Sequence, residues 1–159
     1  MLNMLAADVM TSPVIKVQGD TNLEQVARTM LEDEIGSVVV VHDDGSMIGI
    51  ITDSDFIGRK GRIPFSTFEA PQVLGQWLGK EGLEEIYAKA RSIEAREIMT
   101  PNVHTVEEDT PAESILRLLL NQDISHVPVV REGRPVGMVA RHDLLVVLLR
   151  LVHPEERLA

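Results

Sequence analysis

Cysteine is absent from all 159 residues. That excludes disulfide frameworks, cysteine-ligated zinc, iron–sulfur clusters and thiol nucleophiles, and nothing asks for an oxidising compartment. Aromatics are scarce, with three Phe, one Trp and one Tyr. Basic residues are outnumbered, 15 Lys and Arg against 25 Asp and Glu, for a net charge of -10. Nucleic-acid backbones are held by clustered cations, so this balance argues against a nucleic-acid partner, and it disfavours an anionic membrane surface. The longest apolar stretches, Val38 to Val41 and Leu144 to Leu149, fall far short of the roughly 20 residues a bilayer span needs. The N-terminus has no basic region followed by a long apolar core, so no signal peptide is expected and the expected location is cytoplasmic.

What is present is repetition. A shift of 89 residues lays Asp8-Val9-Met10-Thr11 on Glu97-Ile98-Met99-Thr100, Asp20-Thr21 on Asp109-Thr110, and Val38, Val40 and Val41 on Val127, Val129 and Val130. After a one-residue deletion in a turn, Gly49 meets Gly137 and Asp55 meets Asp143. Each copy reads β-α-β-β-α. The runs Val14 to Val17 and Val103 to Val106 predict short strands. Thr21 with Glu24, and Thr110 with Glu113, predict capping boxes, with Pro111 at the first helical position. Leu23, Val26, Ala27, Met30 and Leu31, and then Ala112, Ile115, Leu116, Leu119 and Leu120, predict buried helical stripes. Val38 to Val41 predicts a strand buried on both faces, with an Asp44-Gly45 hairpin leading to a return strand over Met47 to Ile51. Pro128 predicts an edge or a bulge in the second copy. Closing helices are expected from about Asp53 and over about Arg141 to Leu151. The expected organisation is α/β (α+β): a first repeat over 1–59, a partly helical insert over 60–92 and a second repeat over 93–159.

These residues resemble a tandem pair of cystathionine β-synthase (CBS) domains, a Bateman module. The resemblance is carried by Val9-Met10-Thr11-Ser12-Pro13 and Gly49-Ile50-Ile51-Thr52-Asp53-Ser54-Asp55. Their second copies, Ile98-Met99-Thr100-Pro101 and Gly137-Met138-Val139-Ala140-Arg141-His142-Asp143, repeat it. Ile124 to Val130 matches the family's helix-to-strand segment. The resemblance implies two repeats packed sheet to sheet about a pseudo-twofold axis. It also implies a regulatory, non-catalytic module binding AMP, ADP, ATP or S-adenosylmethionine in clefts between them. Carried over, Asp55 and Asp143 hold ribose hydroxyls and Thr52 donates to a phosphate. Adenine lies against Val103 and His104 in one site and against Pro13, Val14 and Ile15 in the other. Ser37 and His126 face phosphates. Ala140 departs from the pattern, because the hydroxyl is missing there; Arg141 and His142 offer charge from the same turn.

Blander readings stand beside these. Thr52 and Asp55 also suit a helix cap and a first-turn acid, and His126 suits a core position. No catalytic constellation appears. No histidine pair has the helical i, i+4 spacing of a zinc motif, so no metal or resident cofactor is expected. Gly58-Arg59-Lys60-Gly61-Arg62 reads as a solvated helix exit or as a phosphate contact. Phe56, Phe65, Phe68, Trp77 and Tyr87 all lie in or beside the insert, which suggests burial there against its own module or against a partner. The apolar Leu144 to Leu149 run predicts a homodimer, and any protein effector is expected to act in trans. The rival reading is a dimerisation or interaction scaffold whose clefts bind no nucleotide.

Overall fold

The computed structural model describes residues 4–57, 88 and 91–152. In chain order its elements are α1 (Ala6–Val9), β1 (Lys16–Gln18), α2 (Leu23–Glu32), β2 (Ser37–Val41), β3 (Met47–Thr52), α3 (Asp53–Ile57), α4 (Ala95–Ile98), β4 (Val106–Glu107), α5 (Ala112–Asn121), β5 (His126–Arg131), β6 (Arg134–Ala140) and α6 (Leu145–Val152). They form two compact units. A continuous unit spans Ile15–Asn102, and a composite unit joins Met1–Val14 to Val103–Ala159. Most of the aromatic insert, including Phe65, Phe68, Trp77 and Tyr87, lies outside the described residues.

Each unit holds one three-stranded sheet with a parallel first pair and an antiparallel hairpin, in the orders β1-β2-β3 and β4-β5-β6. The central strands are rich in valine, interrupted only by Pro128 in β5. Every residue of β2 is buried, as are Val127 to Val130 of β5, as expected for strands covered on both faces. Gly45 turns the first hairpin at φ 84°, and Glu132 and Gly133 turn the second at 51° and 75°. Two successive positive φ values match the right-handed twist of the flanking strands.

A lead-in segment completes each unit from within. In the composite unit, Ala6 N–H donates to the Thr110 carbonyl at 2.8 Å and Ala112 N–H to the Met4 carbonyl at 2.9 Å. Ala6 itself sits in the core with Ile115, Leu119, Val127, Val129 and Val139. The continuous unit repeats this 89 residues on. Ala95 N–H donates to the Thr21 carbonyl at 2.7 Å, Leu23 N–H donates to the Ile93 carbonyl at 3.0 Å, and Ala95 joins Val17, Val26, Val38, Val40 and Ile51. Each compact unit is therefore completed by the short helix that precedes the other repeat in sequence. The units divide at 14/15 and 102/103, whereas the repeat read along the chain divides at the insert.

Several local expectations are corrected. Thr21 is not the N-cap of α2. Its hydroxyl accepts from Gln18 N–H at 3.1 Å, closing the turn after β1, while Asn22 Oδ1 caps the helix by accepting from Gln25 N–H at 2.9 Å. Thr110 likewise accepts from Glu107 N–H at 3.1 Å, and Pro111 is the N-cap of α5 and not its first helical residue. Strands β1 and β4 start at Lys16 and Val106, later than their apolar runs. Leu31 and Leu120 are 79% and 64% exposed; each lies one residue past the stripe and is rotated about 100° from it. Helix α6 starts at Leu145, because residues 141–144 form turns closed by Asp143 N–H to the Ala140 carbonyl and Leu145 N–H to the His142 carbonyl.

Pro128 lies in the central strand of its sheet, not at an edge. The register shift at Val129/Val130 has a counterpart at Val40/Val41, where no proline occurs, so proline is not its cause. The cost appears elsewhere. Val39 N–H donates to the Ile15 carbonyl at 3.1 Å, and Pro128, at the equivalent position, has no N–H to offer. Parallel pairing accordingly begins one residue later, at Val106↔Val129, and β4 is two residues long where β1 has three. Arg131 compensates by gripping Glu108 through two bonds of 2.6 and 2.7 Å.

Gly49 and Gly137 accept the methionines of the lead-in segments. A Cβ at Gly49 would lie 2.6 Å from Met99 Sδ and 2.8 Å from the Thr100 carbonyl oxygen; one at Gly137 would collide with Met10 Sδ. Gly49→Ala is expected to cost about 1–3 kcal/mol, the range for overpacking. Gly137→Ala should cost less, because all three of its near contacts belong to the flexible Met10 side chain. Urea unfolding of the two variants checks that order. A second prediction concerns acid. The Arg131 hydrogen bond holds the Glu108 carboxyl below its usual value. A depressed folded value stabilises the fold above the unfolded value of about 4.3 and loses that effect as pH falls through the folded one. The urea midpoint difference between wild type and Glu108→Gln should therefore be largest near neutrality and shrink toward pH 3.

Candidate functional site

The end of each hairpin gathers the residues singled out by the repeat. In the continuous unit, Ser37 opens β2 and pairs in register with Thr52, the last residue of β3. Directly opposed residues present their side chains to the same face, about 5 Å apart at Cβ. Ser37 is the one buried polar residue among the described residues. Thr52 N–H donates to Asp55 Oδ2 at 2.8 Å, and Thr52 Oγ1 lies 2.7 Å from Ser54 Oγ and 3.4 Å from Asp55 Oδ2. Two hydroxyls and one carboxylate thus meet at the strand end, with Ser37 across the ladder from Thr52. Ser54 was not among the residues expected there; its position two residues after Thr52 in a helix-opening turn was the available signal.

The composite unit keeps the backbone and changes the chemistry. His126 pairs with Ala140 as Ser37 pairs with Thr52. Ala140 N–H donates to Asp143 Oδ2 at 2.8 Å, reproducing the Asp55 contact. Each hydroxyl is replaced: Ser37 by His126, Thr52 by Ala140 and Ser54 by His142. His126 Nδ1 lies 3.0 Å from Ser125 Oγ and is half-buried. Arg141 does not point away as a spare cation. Its Nε donates to the Ile124 carbonyl at 2.9 Å and its Nη2 to Asp123 Oδ1 at 2.9 Å.

The lead-in strands dock beside these loops. Ile50 and Thr100 exchange two backbone bonds of 3.1 and 2.9 Å in the continuous unit. Thr11 and Met138 do the same at 2.9 and 3.0 Å in the composite unit, where Ser12 Oγ also donates to the Val136 carbonyl at 2.9 Å. Pro13 is exposed and Val14 buried in the composite unit, and Ile15 is half-buried at the start of the continuous one. Val103 is half-buried and His104 exposed, both in the composite unit. Asp55 and Asp143 serve as local caps in addition to any further role. A carboxylate has about four lone-pair sites, so one backbone contact does not exhaust it. The basic stretch Arg59-Lys60-Gly61-Arg62 lies outside the described residues. Among the described residues no group of three or more His, Asp or Glu side chains is placed to hold a metal ion, and no helix is long and apolar enough to cross a membrane.

Comparison with known proteins matches this arrangement. The chain is similar to the CBS domain of a CBS domain-containing membrane protein from Sphaerobacter thermophilus, with 39% identity, a TM-score of 0.76, and 92% of this chain and 89% of that one covered. It is also similar, at 25% identity and TM-score 0.66, to the CBS domain pair of protein MJ0100 in complex with 5′-methylthioadenosine and S-adenosyl-L-methionine, covering 91% and 99% of the two chains. A curated relative, a CBS domain-containing protein of Dictyostelium discoideum, is 27% identical over 154 residues, 96% of this chain and 97% of its own. The CBS domain model matches residues 6–61 and 95–150, the two copies found 89 residues apart, and the chain belongs to the CBS domain family as a tandem pair.

Proposed function

We propose that this CBS pair is a non-catalytic regulatory module that binds adenosine-containing ligands, Asp55 and Asp143 each gripping a ribose. The observation that carries this reading is the shared placement of the two carboxylates. Both are anchored at 2.8 Å by the backbone N–H at the end of the return strand, although the side chains around them differ. A carboxylate accepts from both hydroxyls of a cis-diol, which makes ribose the common element and leaves the ligand's other end to the differing neighbours. The similar MJ0100 pair was seen with two adenosyl compounds, 5′-methylthioadenosine and S-adenosyl-L-methionine, which supports the ligand class; AMP, ADP and ATP share the same ribose. Ligand binding would bias the module between two arrangements through its differential affinity for them, and a protein effector acting in trans would read the outcome.

A thermal-shift series with AMP, ADP, ATP, S-adenosylmethionine and 5′-methylthioadenosine tests this. Ligand at 100 times its dissociation constant should add about 2.7 kcal/mol of stability, and the Asp55→Ala/Asp143→Ala double variant should lose the gain. No response to any adenosine compound would leave a scaffold, whose two aspartates serve only as caps.

We propose also that the module is a homodimer. Leu144 and Val147 of the final segment are buried, yet Leu145, Leu148, Leu149 and Val152 remain exposed on α6, an apolar surface suited to a twofold partner. Sedimentation equilibrium at micromolar concentration should give twice 17.6 kDa; a mass near the single-chain value would refute the dimer.

A further inference from the structure

We infer that the two ribose sites are divided by ligand charge, with Arg141 as the specificity-determining residue: the composite unit takes an anionic, phosphorylated adenosine compound, and the continuous unit an uncharged or cationic one. This rests on the adenosine-binding reading above and goes further by naming the class each site takes.

The argument begins with an ion pair that the fold does not require. In the composite unit Arg141 N–H donates to the Ser125 carbonyl at 3.0 Å, and its guanidinium holds Asp123. In the continuous unit the same backbone bond runs from Asp53 N–H to the Gly36 carbonyl at 3.0 Å. There the residues equivalent to Arg141 and Asp123 are Asp53 and Glu34. Both Glu34 and Asp123 end their helices with positive φ, 53° and 49°. The backbone is therefore built equally well with two acids or with an ion pair, so the pair answers to something other than folding.

Its exposure indicates what. The Arg141 and Asp123 side chains are 45% and 79% exposed. An exposed pair contributes little and exchanges partners readily, whereas a phosphate offers a guanidinium a bidentate, charge-assisted contact. Arg141 lies one residue after Ala140 and two before Asp143, so it is placed to replace the hydroxyl that Ala140 lacks. Asp123 and the Ile124 carbonyl hold it until an anion competes for the charge that Asp123 pairs. The turn of the continuous unit, Thr52-Asp53-Ser54-Asp55, carries two carboxylates and no cation. It meets a phosphate with like charge, and a sulfonium or thioether with none or with attraction.

Titration calorimetry with AMP and 5′-methylthioadenosine, which share the ribose and differ in charge, tests this with each site isolated. In Asp55→Ala, where the composite site remains, AMP should bind about 10-fold or more tighter than 5′-methylthioadenosine, the step one hydrogen bond to a charged group supplies. Adding Arg141→Gln should erase that preference while 5′-methylthioadenosine binds as before. Adding Asp123→Asn should tighten AMP, since it removes the competitor and asparagine tolerates the positive φ; a merely structural ion pair would give the opposite sign. In Asp143→Ala the preference should vanish or invert. Equal affinity for the two ligands in Asp55→Ala, or a preference that survives Arg141→Gln, overturns the inference while leaving adenosine binding intact. Wild type that binds neither compound overturns both readings together.

Discussion

The fold depends on the docking of a lead-in strand onto a return strand that has been stripped of a side chain. Thr100 can exchange two backbone bonds with Ile50 only because position 49 carries no Cβ, and Met99 then fills the space. Thr11 and Met138 exchange the equivalent bonds, and there the space over Gly137 is filled by the Met10 side chain alone. From that contact follow the placement of Ala6 and Ala95 in the two cores and the satisfaction of the first N–H groups of α2 and α5 by Ile93 and Met4. The hairpin ends that carry Thr52, Asp55, Ala140 and Asp143 are anchored by the same docked strands.

Much of this was legible in the chain. The β-branched run from Val38 to Val41 announced a doubly covered strand, whereas Pro128 in the second copy pointed to an edge or a bulge, and the repeat, with its one-residue deletion, tied Asp55 to Asp143. Legibility ended where a residue's partner is distant in sequence. Thr21 and Thr110 look like caps because their hydroxyls are well placed locally, but the turns that follow β1 and β4 claim those hydroxyls first. Leu31 and Leu120 look like core because an apolar residue beside a stripe is usually counted with it; rotation about the helix axis leaves both in solvent. The Arg141–Asp123 pair spans 18 residues and has no signature in spacing. Asp53 and Glu34, at the equivalent places, show that such a pair is not implied by the repeat.

The two units show what a duplicated backbone leaves free. Hairpin register and carboxylate anchoring are held in common, while Ser37, Thr52 and Ser54 stand where His126, Ala140 and His142 stand in the other copy, with the strand-end pairing unchanged. Pro128 marks the tolerance of this frame. Loss of one backbone donor shortens β4 by a residue, and the two-pronged Arg131–Glu108 contact holds the strand at its other end.

Because each unit is closed by the lead-in of the other repeat, a single repeat is not a self-sufficient building block. A one-repeat chain would carry a strap with no receiver and a receiver with no strap. Two such chains would complete one another by trading straps, and the segment over 60–92 does covalently what that trade would do by association. On this account the tandem chain is a fused pair of mutually dependent halves.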